Sequence, residues 1–322
     1  MADILIYGAG AIGSFMGYIL GEISEKDDGR IENVALLGRV DHMKAIKEHG
    51  LQIDSIDLAE GKKTLKFRHC FASLEDLSNC DFHPEIVVVC VKTHSLPAAC
   101  RELKQSGLLE KKLKGARFIL LMNGMGNSEV FMQLDLPKSS VLEGITSMGV
   151  RFAEEGRVEL KGMGKTIFEH RTSDADRNFL EQRFSEKGFE IEFAKNFREH
   201  QYNKLFVNAV INPITALTRQ KNSIVLSPAL KSTVQGVVAE AVNVAAAEGI
   251  VRTEKEVTDL VYSVAVKTSA NTSSMLQDVL KGRKTEIEAI NGYIIRRALE
   301  NGIEVPVNEA LYGLVKSATE NP

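Results

Sequence analysis

The chain of 322 residues has no tryptophan, few cysteines, no long apolar run and almost no net charge, and these shortages bound what it can be. No apolar run approaches the roughly 20 residues that a membrane-spanning helix needs, so no membrane partner is expected. The formal net charge is −3, with acidic and basic residues spread along the sequence, which gives no reason to expect nucleic acid as a partner. Cys70, Cys80, Cys90 and Cys100 lie ten residues apart with no CxxC pair and no His-rich companion. They read as reduced thiols, and neither a metal site nor a disulfide framework is expected. The first residues run straight into a strand pattern without a basic and apolar leader, which makes the cytoplasm the expected location. There is no internal repeat and no low-complexity segment.

What is present is a globular composition, 44% hydrophobic and 26% charged, and enough length for two domains of ordinary size. Asp3 to Tyr7 reads as a strand, followed at once by GAGAIG (Gly8, Ala9, Gly10, Ala11, Ile12, Gly13) and a helical pattern to Leu20. In that context of strand, tight turn and helix, the glycines let backbone approach a pyrophosphate and the helix start offers partial positive charge. Asn33 to Leu37 reads as the second strand, with Arg39 where an NAD-binding sheet carries an acidic residue and with Asp41 only beyond the turn. An Arg there suits a 2′-phosphate, so NADPH/NADP+ is expected over NADH.

Gly50 to Phe71 alternates as a hairpin-like excursion. Ile86 to Val91 and Arg117 to Met122 are continuous apolar runs of the kind found in strands covered on both faces. Each run ends in polar residues, Lys92-Thr93-His94 and Asn123-Gly124-Met125-Gly126, at the carboxyl edge where ligands of open α/β sheets bind. Val141 to Met148, Val158 to Phe168 and Glu190 to Ala194 complete the strands, with a helix over Asp174 to Lys187. From Asn196 onward helical patterns dominate. The expected fold is therefore α/β, with a Rossmann-type dinucleotide-binding domain over 1–195 and an all-helical substrate-binding and catalytic domain over 196–322.

KLFVNAVINPITAL at 204 to 217 is the most informative stretch of the second half. Lys204, Asn208 and Asn212 recur every four residues, so a helix stacks them on one face among almost wholly apolar neighbours. Two readings stay open: a core helix with satisfied polar groups, or a pocket wall presenting a proton donor and two amides. Ser274-x-x-Gln277 has the form of a capping box that starts a helix at Ser274. Ile287, Ile290, Ile294 and Ala298 form an apolar stripe, which turns Glu286 inward and makes Lys204 its candidate partner.

These segments resemble the ketopantoate reductase family: GAGAIG at 8 to 13, VKTH at 91 to 94, NGMG at 123 to 126, GITSMG at 144 to 149, KLFVNAVINPITAL, and SSMLQDVLKGRKTEIEAINGYII at 273 to 295. The resemblance implies NADPH-dependent reduction of 2-dehydropantoate, a small-molecule substrate, to pantoate on the route to coenzyme A, with substrate in a cleft between the domains. It implies that Lys204 is the general acid and Glu286 its acidic partner. Asn208, Asn212 and Ser274 would bind substrate, Lys92 and Asn123 would lie near both nicotinamide and substrate, and Glu286 would also border the cofactor. Arg39 fits the 2′-phosphate. The chain departs from the family at Tyr202, where tryptophan is common, and at Val150 and Lys161-Gly-Met-Gly. A related reductase of another 2-oxo acid and a non-catalytic dinucleotide sensor are the alternatives, and a homodimer is left open.

Overall fold

The structure, a computed structural model, describes residues 2–23, 29–55 and 61–320. The chain divides into two compact units, one of residues 1–122 with 127–197, the other of residues 123–126 with 198–322.

Among the described residues of the first unit, eleven strands form one sheet: β1 (Ile4–Tyr7), β2 (Arg30–Leu37), β3 (Leu51–Ser55), β4 (Lys62–Phe71), β5 (Ile86–Val89), β6 (Arg117–Leu120), β7 (Val141–Thr146), β8 (Gly149–Glu154), β9 (Arg157–Gly162), β10 (Thr166–Glu169) and β11 (Ile191–Ala194). Its middle runs β4-β2-β1-β5-β6-β7 with every neighbouring pair parallel. Leaving out the β3 excursion, that is the 3-2-1-4-5-6 order of dinucleotide-binding sheets, which puts the topological switch at β1. The apolar runs explain the burial: all four residues of β1 and of β5 are buried. Ile4 and Ile6 enter the core on one face with Phe15 and Ile19, while Leu5 and Tyr7 enter the other with Leu96 and Leu103. A strand alternates its side chains, so a parallel strand covered on both faces must be apolar throughout.

The 50–71 excursion is an antiparallel pair, β3 against β4, in which Gln52 faces Thr64; its residues 56–60 lie outside the described residues. The single strand expected over Val158 to Phe168 is instead two, β9 and β10. Gly164 breaks it: a Cβ there would lie 2.1 Å from the carbonyl carbon of Ser147, so this backbone packs directly on the 147–148 bend and leaves the ladder. β8 was not expected, because it carries no clean apolar alternation, its side chains being exposed or half-buried. It pairs with β9, which joins the sheet edge through β3.

The second unit contains no strand among its described residues. Its helices are Phe197–Thr218, whose first residue belongs to the other unit, then Lys231–Ala247, Glu254–Lys267, Ser274–Leu280, Asn291–Glu300 and Pro306–Glu320. They pack around a core that includes Leu205, Phe206, Ala209, Val210, Val238, Val261 and Ile294. The linear division at 195/196 differs from the observed one at Asn123–Gly126, which packs with the helices. No helix among the described residues is long and apolar enough to cross a membrane, and no cluster of metal-ligating side chains occurs among them.

Candidate active site

In the first unit, β1 runs into the glycine turn and then the helix Ala11–Leu20, with Gly10 as its N-cap and no acidic residue in its first turn. Gly8 has φ 102°, and a Cβ on it would lie 2.6 Å from the Val91 nitrogen; a Cβ on Gly13 would lie 2.3 Å from the Gly8 oxygen. Both positions exclude a side chain, while a Cβ on Gly10 would meet nothing within 4 Å. The turn is thus closed against β5 and its own backbone but open at the helix start, which is the shape a pyrophosphate requires. Lys92 follows directly on Val91 and is exposed.

At the end of β2, the Arg39 guanidinium lies 4.8 Å from the Phe152 ring centroid and 3.2 Å from Glu155 Oε1. Three residues on, His42 is fully buried; the Gly156 N–H donates to its Nδ1 at 2.8 Å and its Nε2 lies 2.9 Å from Ser14 Oγ. The first of these bonds places the imidazole proton on Nε2, facing Ser14. Burial, followed by the Arg39 charge, pushes the pKa of His42 down to about 4.

In the second unit, Lys204, Asn208 and Asn212 lie on the helix Phe197–Thr218, which ends where Arg219 takes φ 55°. The four-residue spacing stacks them on one face. Lys204 and Asn208 are half-buried, and Asn212 is buried. Lys204 Nζ donates to Asn123 Oδ1 at 2.8 Å, and Asn123 Nδ2 donates to Glu286 Oε2 at 3.1 Å. The structure therefore joins Lys204 and Glu286 through the amide of Asn123. Asn123 can serve this way because its loop is seated on the backbone beside Glu286: the Met125 N–H donates to the Ala289 carbonyl at 3.0 Å. Gly124, with φ 77°, lies so close that a Cβ on it would be 2.5 Å from the Ala289 Cβ. Burial lowers the Lys204 pKa from 10.5 to about 8, with the Glu286 carboxylate opposing the shift. An ammonium at that value stays mostly protonated at neutral pH while lying close enough to it to donate the proton, the balance that general acid catalysis needs.

The stretch 286–300 is not one continuous helix. Ile287–Ala289 is a short 3₁₀ turn, Ile290 takes φ −107° and ψ −93°, and Asn291–Glu300 is α-helical. Glu286 is nonetheless buried, at 5% exposure. The break has a use that sequence reading missed. Pro213 has no N–H, so the Ala209 carbonyl loses its helical partner, and Asn291 Nδ2 donates to that carbonyl at 3.1 Å. The Glu286 segment is thereby tied to the Lys204 helix at the residue after Asn208. A proline nine residues after the lysine, in an otherwise helical run, is the signal that could have pointed to such a partner.

The cap of the helix Ser274–Leu280 is Ser273, not Ser274. Ser273 has extended backbone, and its hydroxyl accepts from the Leu276 N–H at 3.1 Å and meets Thr215 Oγ1 at 2.6 Å. Gln277 donates to the Thr272 carbonyl instead of completing a box. Ser274, one residue later, is exposed. Tyr202 is wholly buried and donates to Glu248, which also accepts from Tyr293 at 3.0 Å and pairs with Arg198 at 2.6 Å and Arg297 at 2.9 Å. Against its own burial, these donors hold Glu248 below the usual carboxylate range. Tyr202, two residues before Lys204, thus anchors its helix through the phenol hydroxyl it donates to Glu248.

A doubly wound sheet with an open glycine turn at its switch point, joined to a helical domain holding a half-buried lysine beside an amide and a carboxylate, defines a class: the dinucleotide-dependent oxidoreductases of two-domain Rossmann type. Two family models narrow it, "Ketopantoate reductase PanE/ApbA" over residues 4–173 and "Ketopantoate reductase PanE/ApbA C terminal" over residues 196–319. The chain belongs to the ketopantoate reductase family. It is 32% identical over 318 residues to the 2-dehydropantoate 2-reductase of Pyrococcus horikoshii, covering 98% of this chain and 96% of that one. A ketopantoate reductase of Ralstonia eutropha JMP134 superposes with TM-score 0.83 at 25% identity, covering 99% of this chain and 98% of that one. D-mandelate dehydrogenase, solved with NADH and anilino(oxo)acetate, shares the fold with TM-score 0.82 at 24% identity, over 99% of this chain and 98% of that one.

Proposed function

We propose that the chain reduces 2-dehydropantoate to pantoate with NADPH, using Lys204 as the general acid. The observation that carries this reading is the bonded series Lys204, Asn123, Glu286, with the ammonium held at about 8 by burial. NADPH, bound at the glycine turn with Arg39 at its 2′-phosphate, supplies the hydride for the ketone carbon. As negative charge grows on the ketone oxygen, the Lys204 ammonium stabilises it and then releases its proton to it. Asn123 fixes the direction of the ammonium by accepting one of its three protons. Glu286 keeps the ammonium charged in a setting whose burial opposes charge. Asn208, Asn212 and Ser274 offer neutral hydrogen bonds to substrate hydroxyl and carboxylate, and Lys92, exposed at the end of β5, a cation for carboxylate or phosphate.

Lys204→Ala tests the assignment. Turnover should fall by about 10²- to 10⁴-fold, the usual worth of a general acid, with NADPH affinity retained. Near wild-type turnover would remove Lys204 from the mechanism.

A further inference from the structure

The residue that faces Arg39 comes from a part of the chain that a reading of β2 does not reach. Glu155 and Gly156 form the turn between β8 and β9, and three contacts hold that turn, two against the helix Val40–His49 and one against β3. The Gly156 N–H donates to the buried His42 Nδ1 at 2.8 Å. A Cβ on Gly156 would lie 3.1 Å from the Ala45 Cβ, and the Gly156 carbonyl accepts from the Gln52 N–H at 2.8 Å. The turn is therefore fixed, and it sets the Glu155 carboxylate 3.2 Å from Arg39 while Phe152 of β8 lies under the guanidinium. In sheets of this type an acid at the ribose favours the free 2′-hydroxyl and an arginine favours the 2′-phosphate. This chain holds one of each, the arginine from the end of β2 and the acid from the β8–β9 turn.

We propose that Glu155 is a specificity-determining residue for the cofactor: by pairing with Arg39 it neutralises the guanidinium, so it reduces the discrimination between NADPH and NADH that Arg39 alone would give. The inference rests on the assignment of Arg39 to the 2′-phosphate made above. The pair is partly exposed, so the effect is that of a surface ion pair, about two- to fivefold in affinity, and it is weaker at high salt.

The test is the dissociation constant of NADPH and of NADH, from fluorescence titration without substrate, for the wild type, Glu155→Gln, Arg39→Ala and the double variant, at low and high ionic strength. In Glu155→Gln, NADPH should bind about two- to fivefold tighter at low salt and NADH no tighter. That gain should vanish at high salt and in the Arg39→Ala background. Equal shifts for both cofactors, no shift for either, or a gain that survives without Arg39 would overturn the role of Glu155. If Arg39→Ala alone weakens NADPH and NADH equally, the 2′-phosphate assignment itself fails, a result separable from failure at Glu155 alone.

Discussion

The burial of Lys204 makes activity and stability respond to alkaline pH in opposite directions. Moving the ammonium from 10.5 to about 8 disfavours the charged form in the folded state by about 3 kcal/mol, at about 1.4 kcal/mol per pH unit. The sign follows from proton binding. Between pH 8 and 10.5 the unfolded chain holds the Lys204 proton more tightly than the folded one, so the stability contributed by this group rises with pH across that window and the penalty is complete below it. The proposed general acid, by contrast, is lost as pH rises through 8, so kcat/KM should fall above about pH 8 with unit slope. Glu286→Gln removes the one charge that raises the value, so the alkaline limb should move to lower pH. Steady-state rates against pH for wild type and Glu286→Gln, beside thermal unfolding of wild type and Lys204→Met from pH 7 to about 10.5, measure both halves. An alkaline limb near 10, or one that ignores Glu286, would refute the reasoning.

Two substitutions test how the cluster is held. Gly124→Ala should displace Asn123, because its Cβ would meet Ala289 at 2.5 Å and the residue would sit at φ 77°; the expected loss of stability is about 1–3 kcal/mol in denaturant unfolding, with kcat falling more than NADPH affinity. Asn291→Ala leaves the Ala209 carbonyl buried without the donor that replaces the Pro213 N–H. It should cost about 1–3 kcal/mol, and an unchanged unfolding midpoint would show that the proline kink needs no such partner.

The glycine turn was legible because its residues are contiguous and its reason is local: strand, forced positive φ, helix start. The Lys204 face was legible because a period of 3.6 is written in the sequence itself. What escaped depended on pairs far apart in the chain. Nothing local shows that Met125 bonds Ala289 or that Asn123 bonds Glu286, since these contacts join the 123–126 loop to a segment more than 160 residues on. Nor does the end of β2 reveal that Glu155 faces Arg39. The cap is Ser273 although only Ser274 has a glutamine three residues on, because the Ser273 hydroxyl is held by the buried Thr215 hydroxyl, 58 residues away in the chain. The strand β8 escaped because its half-buried side chains do not alternate.

NADPH-dependent reduction of 2-dehydropantoate is measured most directly as NADPH oxidation, followed by absorbance, with purified protein offered 2-dehydropantoate, 2-oxoisovalerate and pyruvate in turn, and repeated with NADH. The expected result is a clear preference for 2-dehydropantoate and for NADPH. Turnover of only another 2-oxo acid, or tight NADPH binding with no turnover of any of them, would contradict it.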